Sequence, residues 1–239
     1  MKTLNIMSYN TQHCSSYIEK KIAFKLIADT INRFSPDFVV LNEMRGEGVV
    51  EDYVSQTDII ADLCDMPYRY FAKAIDVKKE ASPYGNAIIS KIPFTSVETV
   101  HIPDPPTESR IGTRWYEHRC FLKARLDGGI TVLGVHVGLN PEEKELAVKT
   151  ILPHIEKEKC FLLGDFNMSP SNALLDPIRE VMRDAAELFS EELLSCPSDL
   201  PKRKIDYIFA TPDVEFVSAD IPDIVSSDHR PHIATVIIK

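Results

Sequence analysis

The sequence lacks paired cysteines. Its five, Cys14, Cys64, Cys120, Cys160 and Cys196, are odd in number and include no Cys-x-x-Cys spacing. A disulfide frame and a zinc site are therefore not expected, and reduced thiols in a cytoplasmic protein are. Basic charge is also scarce, with 27 Lys and Arg against 36 Asp and Glu and a formal net charge of −9. Duplex DNA is bound through Lys and Arg that neutralise phosphates, so nucleic acid is a disfavoured partner, although a local patch or bound cations at one site would still admit it. No apolar run approaches the length of a membrane span. The start, Met1-Lys2-Thr3-Leu4-Asn5-Ile6, has no long apolar segment of the secretory kind. No repeat, low-complexity tract or linker is found. A single globular domain over 1–239, monomeric and intracellular, is the expectation.

What is present is an ordinary core-forming composition, 44% hydrophobic and 26% charged over 239 residues, enough to bury a large interior. Short apolar runs punctuated by turn residues predict strands at 4–9, 38–41, 68–74, 87–89, 95–101, 118–126, 130–136, 160–163, 204–209, 214–217 and 232–238. Asp127-Gly128-Gly129 is a hairpin-type turn. Helical periodicity predicts helices at 18–34, 54–64 and 171–182, and Pro141-Glu142-Glu143 is a good helix start. The segment Pro103–Arg110 is the clearest loop. Hairpins mixed with helices argue against a purely parallel sheet and for two packed sheets with helices outside.

Polar residues recur at the ends of the apolar strands. Asn10 follows the first, Glu43 follows Val39-Val40-Leu41, and His136 ends Thr131–Val135. Asp165 and Asn167, in Gly164-Asp165-Phe166-Asn167, follow Cys160–Leu163, and their two-residue spacing turns both toward one side of the sheet. Asp206 sits inside Lys204–Phe209, and Asp228-His229 precedes the last strand. Each has a bland explanation when taken alone: turn chemistry for Gly-Asp-Phe-Asn, a structural histidine for His136, a strand edge for Asp228-His229. Asp206 needs a partner in any case, because a buried unpaired carboxylate costs several kcal/mol. Taken together, the carboxylates, two Asn and two His form a plausible site for a hard cation and a phosphate.

Seven motifs occur in one order: Ser8-Tyr9-Asn10, Leu41-Asn42-Glu43, Tyr84-Gly85-Asn86-Ala87-Ile88-Ile89-Ser90-Lys91, Val135-His136, Gly164-Asp165-Phe166-Asn167, Ile205-Asp206-Tyr207-Ile208 and Ser227-Asp228-His229. In that order they resemble the endonuclease/exonuclease/phosphatase superfamily over residues 8–229. The resemblance implies an α/β fold, a four-layered α/β sandwich with two central mixed β-sheets flanked by helices. It implies Glu43 as the main Mg²⁺ ligand, supported by Asn10 and Asp228. Asp165 would orient or polarise the attacking water, or hold a second cation. Asn167 would donate to the scissile phosphate. His229 would be general base or phosphate contact, with Asp206 fixing its tautomer. His136 matches a histidine that serves nuclease and sphingomyelinase branches as general acid or transition-state donor, and that apurinic endonucleases generally lack.

A carboxylate-rich, thiolate-free donor set favours Mg²⁺, or Mn²⁺, over zinc. The expected reaction is in-line attack of water on phosphorus without a covalent enzyme intermediate. The expected substrate is a small or lipid-derived phosphoester. The rival is a metal-dependent nuclease acting on DNA or RNA, and a non-catalytic binding module comes third. Arg119 fits a substrate-phosphate contact and a structural ion pair equally well. Arg110, Arg114, Trp115 and Tyr116 fit a substrate wall or a surface loop, and Lys202-Arg203-Lys204 reads as a solvated basic face. His13, His101, His118, His154 and His232 match no motif and are expected at the surface or behind the site. Recognition is expected from loops 76–85, 103–117 and 190–203.

Overall fold

The computed structural model describes residues 1–49, 53–77 and 81–238; within the expected recognition loop 76–85, positions 78–80 therefore lie outside the described residues. The first half contains β1 (Lys2–Asn10), α1 (Phe24–Asn32), β2 (Phe38–Arg45), α2 (Gln56–Leu63), β3 (Tyr68–Asp76), β4 (Pro83–Ser90) and β5 (Phe94–Ile102). The second contains β6 (Arg119–Leu126), β7 (Ile130–His136), α3 (Pro141–Ile151), β8 (Cys160–Asp165), α4 (Asp176–Arg179), β9 (Arg183–Asp184), β10 (Asp206–Ala210), β11 (Val214–Asp220) and β12 (His232–Ile238). They form two six-stranded sheets, ordered β11-β12-β1-β2-β4-β3 and β5-β6-β7-β8-β10-β9. Both are mixed: β1 and β2 run parallel, as do β7 and β8, and the other neighbours are antiparallel.

Three apolar layers hold four structural layers together. Between the sheets lie Leu4, Ile6, Phe38, Val40, Ile88, Leu122, Val132, Phe161, Leu163, Ile208 and Val236. Met7, Tyr9, Val39 and Leu41 pack under α1 and α2, and Leu133, Val135 and Leu162 pack under α3. Each fully buried Ile, Leu or Phe stabilises by about 1.5–3 kcal/mol, so the inter-sheet layer holds the sheets firmly enough to carry polar groups at its rim. At Gly134 the sheets approach so closely that a Cβ would lie 2.7 Å from Val40 Cγ1.

The period of two places the polar residues. In β1 the inward positions Leu4 and Ile6 continue to Ser8 and Asn10; in β2, Phe38 and Val40 continue to Asn42; in β8, Phe161 and Leu163 continue to Asp165. In the oppositely running strands the polar residue comes first: Asn86 before Ile88, Asp206 before Ile208, His232 before Ala234. All therefore lie between the sheets at one end.

Two expected helices are shorter in the structure. Over 18–34 only Phe24–Asn32 is helical, because Gln12, His13, Cys14 and Lys20 adopt positive φ and the chain before it is tied down as a loop, with Tyr17 N donating to Ser226 O at 3.0 Å. Over 171–182 the chain makes a 3₁₀ turn at Ala173–Leu175 and one helical turn at Asp176–Arg179, with Pro177 able to sit only in its first turn.

Candidate active site

Glu43, His136, Asp165, Asn167, Asp228 and His229 line a cleft of about 600 Å³ at the polar end of the sandwich, joined by Arg119. Asn10 and Asp206 lie beneath it, fully buried. A second cavity, about 500 Å³ beside Arg33, Phe34 and Asp220, includes none of these residues.

Glu43 reaches the cleft through a backbone irregularity. Simple alternation from Val39 and Leu41 would point it into the helix-side core. The β2–β4 register instead shifts between Leu41 and Met44, and Glu43 takes φ +61°. A bulge of this kind re-aims a side chain, and left-handed backbone at a non-glycine residue persists only where the surroundings enforce it. His13 N, donating to Glu43 O at 2.8 Å, supplies part of that enforcement. Asn167 follows the same rule with φ +52°, its N–H donating to Asp165 Oδ1 at 2.9 Å and its amide to Val137 O at 3.0 Å.

The carboxylates crowd one another. Asn10 Nδ2 donates to Glu43 Oε1 and to Asp165 Oδ2, both at 3.1 Å, while its Oδ1 accepts from Gln12 N at 3.1 Å. In this orientation Asn10 clamps two acids through its NH₂ group. Burial, reinforced by Asp228, pushes the Glu43 carboxyl above its ordinary range. Burial and the neighbouring Asp206 push Asp165 up to about 7, against the pull of His229. Asp206 Oδ1 is buried without a partner. Glu43 and Asp165, both held toward the neutral form, lie with Asp228 and with Asp206, whose one oxygen is orphaned, in a donor set that suits a hard divalent cation. Asp165, Asp206 and His229 each place a ligand atom within 4.8 Å of the others. The set is not wholly free of sulfur at its edge, because Cys196 lines the cleft, where its Sγ accepts from Arg203 Nη2 at 3.4 Å.

The two histidines differ. His229 Nδ1 bonds Asp206 Oδ2 at 2.8 Å, leaving Nε2 3.7 Å from Asp165 Oδ2. Burial opposes its charge, but Asp206 and Asp165 outweigh burial and hold its pKa well above the ordinary value. His136 Nδ1 faces Arg119 Nη1 at 3.1 Å. Arginine only donates, so Nδ1 accepts and the proton of the neutral ring is on Nε2. Burial and then the Arg119 charge keep the ring neutral, its pKa well below the ordinary value. Nε2 lies 3.7 Å from Asp165 Oδ2 and 4.0 Å from Glu43 Oε1. Arg119 also pairs with Glu117 at 2.9 Å, so the ion pair and the cleft position coexist.

Several residues contribute beyond the roles expected from the sequence. Asn42 is a pillar between the sheets: its Nδ2 donates to Asn86 Oδ1 at 2.8 Å and to Val135 O at 2.9 Å, and its Oδ1 accepts from Asp165 N at 3.0 Å. Tyr84 hydrogen-bonds Glu43. Lys144, Arg114 and Arg203 line the cleft. The basic triplet is solvated at Lys202 and Arg203 but not at Lys204, which is buried, donates to Asp206 O at 3.2 Å and lies 3.4 Å above the Tyr207 ring. His232 is fully buried between the sheets, in contact with Phe189. Trp115 is exposed and Arg110 stacks on Tyr116 at 4.7 Å, beside the cleft.

Comparison with known proteins adds a family to this geometry. The model of the endonuclease/exonuclease/phosphatase family matches residues 7–229. No curated protein matches the sequence. Among solved structures, an endonuclease/exonuclease/phosphatase from Beutenbergia cavernae DSM 12333 superposes with a TM-score of 0.79 at 21% identity, over 100% of this chain and 72% of that one. A mannosyl-6-phosphatase from Bacteroides thetaiotaomicron VPI-5482 gives 0.75 at 14% identity, over 98% and 100%. ANGEL2, a 2′,3′-cyclic phosphatase, gives 0.65 at 17%, over 98% and 95%.

Proposed function

The chain belongs to the endonuclease/exonuclease/phosphatase family, and on that premise we propose that it is a divalent-metal-dependent phosphoesterase acting on a small or lipid-derived phosphate ester. One observation carries the reading. Four carboxylates, two histidines of opposite protonation and Asn167 converge on one cleft, in a donor set suited to a hard cation. A phosphate ester repels its own nucleophile, so a site for it must neutralise the oxygens and align water. The acidic chain and the sugar phosphate named for the mannosyl-6-phosphatase favour a small phosphoester over duplex DNA, and the name of the 2′,3′-cyclic phosphatase fits a phosphoester without giving its size.

Glu43, Asp228 and Asp165 would hold Mg²⁺ or Mn²⁺, which when bound supplies Lewis-acid neutralisation of the phosphate oxygens. Asn10 keeps two of these acids in register; serving as an oxygen ligand itself would require it to turn its amide over and release Gln12. Asp165 orients the attacking water and takes its proton as the new P–O bond forms. Asn167 has one amide N–H committed to Val137 O and one left for a phosphate oxygen. His136 donates its Nε2 proton as a neutral hydrogen bond, and Arg119 fixes that tautomer. His229 is held charged by Asp206, so in place of the general base or phosphate contact expected from the sequence it gives its Nε2 proton to the leaving oxygen as the scissile P–O bond breaks. The 3.7 Å between His229 Nε2 and Asp165 Oδ2 lets the proton on Asp165 return to the imidazole and close the cycle.

The test is a substrate panel with purified protein and Mg²⁺ or Mn²⁺: sugar phosphates, inositol phosphates, sphingomyelin, bis-p-nitrophenyl phosphate, RNA and plasmid DNA. Turnover of a small ester that is lost in His229→Ala is expected. Plasmid nicking at low enzyme concentration would replace this reading with a nuclease, and no turnover of any member would favour a binding module.

A further inference from the structure

The cleft is lined by cations as well as acids. Glu43, Asp165 and Asp228 are the acids where a cation and the scissile phosphate belong. Lys144, from α3, and Arg203, from the segment before β10, line the same cleft. Arg119 has a carboxylate partner in Glu117. Lys144 and Arg203 form no ion pair with any described residue, and the one side-chain hydrogen bond of Arg203 goes to Cys196 Sγ.

Their isolation is built in. Every acid of α3 near Lys144 is already engaged. Glu143 Oε2 accepts from Asn140 N at 2.9 Å and Asn140 Nδ2 at 2.8 Å in the helix cap. Glu142 takes the backbone N–H groups of Ile111 and Gly112 and the hydroxyl of Tyr116. Glu145 pairs with Lys149 at 2.6 Å on the outer face. In a chain with nine more acids than bases, these two cations line one cleft without an ion-pair partner among the described residues. Burial works against the Lys144 ammonium, the acids Asp165 and Glu143 pull the other way from beyond ion-pair range, and the Arg203 charge adds a smaller opposition. Like charges held together in a cleft cost free energy unless an anion enters, and they raise the local concentration of anions. A cation bound beside Asp165 would neutralise the distant acid that partly balances Lys144.

We propose that Lys144 and Arg203 form a subsite for a second phosphoryl group, so that the substrate is a small bisphosphate of which one phosphate is cleaved. This rests on the phosphoesterase reading for the cleavage but not for the binding. A cleft of about 600 Å³ lies within the range that encloses small organic ligands.

The experiment is calorimetric titration of the whole protein, with Ca²⁺ in place of Mg²⁺, by fructose 1,6-bisphosphate, glucose 1,6-bisphosphate and fructose 6-phosphate. At least one bisphosphate should bind tighter than the monophosphate by about tenfold or more, the effect of one charge-assisted hydrogen bond. Lys144→Met and Arg203→Met should each remove most of that preference, Lys144→Arg should keep it, and Lys149→Met, on the outer face of α3, should not alter it. Equal binding of all three ligands by the wild type overturns the subsite. So does an equal loss for mono- and bisphosphate in both variants, which would place the two cations on the scissile phosphate. Tighter binding of a short single-stranded DNA, lost in the same variants, would assign them to a nucleic-acid strand and overturn the small-bisphosphate class. Selective bisphosphate binding without turnover of any phosphoester would overturn the hydrolase reading and leave the subsite standing.

Discussion

Asn42→Leu tests how the polar end of the sandwich is held together. The side chain is fully buried and spans the two sheets. A leucine of similar size leaves Asn86 Oδ1 and the backbone N–H of Asp165 without the partners that Asn42 now supplies at 2.8 and 3.0 Å. Each orphaned buried group costs about 1–3 kcal/mol, so the loss should be roughly 2–6 kcal/mol. At about 2–4 °C per kcal/mol for a chain of this size, the melting temperature should fall by roughly 5–20 °C. Urea and thermal unfolding of the metal-free protein measure it without any assumption about activity. The double variant with Asn86→Leu should lose less than the sum of the two single variants, because the Asn42–Asn86 bond is then counted once, even though Cys120 O loses the donor it has from Asn86 at 2.9 Å. A loss below about 1 kcal/mol, or a fully additive double variant, would show that Asn42 is not the pillar inferred from its contacts.

Glu43→Gln should weaken Mn²⁺ binding by ~10-fold or more, since even groups that only orient a ligand are worth that much; calorimetry of the resting protein reads it, and unchanged affinity would remove Glu43 from the cation site. Asp206→Asn should lower kcat/KM by ~10–100-fold through loss of the His229 orientation. It should also cost about 1.5–3 kcal/mol of stability at pH 6. Folding raises the His229 pKa above 6.5, so that stabilisation is fully present below pH 6.5 and fades as the pH climbs through the raised folded value; a deficit that grows with pH instead would contradict the ion pair. Gly164→Ala should destabilise by at least ~3 kcal/mol, because φ is +146° and a Cβ would lie 1.8 Å from Val135 O; a normal melting curve would show that the strand can relax there.

The strand ends were legible because burial and the period of two leave few places for a polar residue in an apolar strand. Asp206 inside Lys204–Phe209 announces a partner, and His229 is there at 2.8 Å. Asn10, Asp165 and His136 continue stripes that can be counted along the chain. Glu43 was legible only as a strand-end acid: its aim depends on a bulge, which alternation cannot foresee. Apolar spacing at 18–34 and 171–182 overstates the helices, because it survives in loops whose conformation is set by distant contacts, such as Tyr17 with Ser226. Lys144 and Arg203 are 59 positions apart and surrounded in sequence by ordinary charges. Their meaning comes from which acids are already engaged, and only the folded chain reveals that.

The central claim is metal-dependent hydrolysis of a phosphoester by this constellation. Its most direct test is phosphate release from a small phosphoester by chelator-treated protein during titration with Mg²⁺, run beside Glu43→Gln and His229→Ala. The account predicts no release without the cation, saturable recovery as it is added, and a loss of about 100-fold or more in His229→Ala. Release that persists in the chelated protein, or that is equal in wild type and His229→Ala, would contradict it.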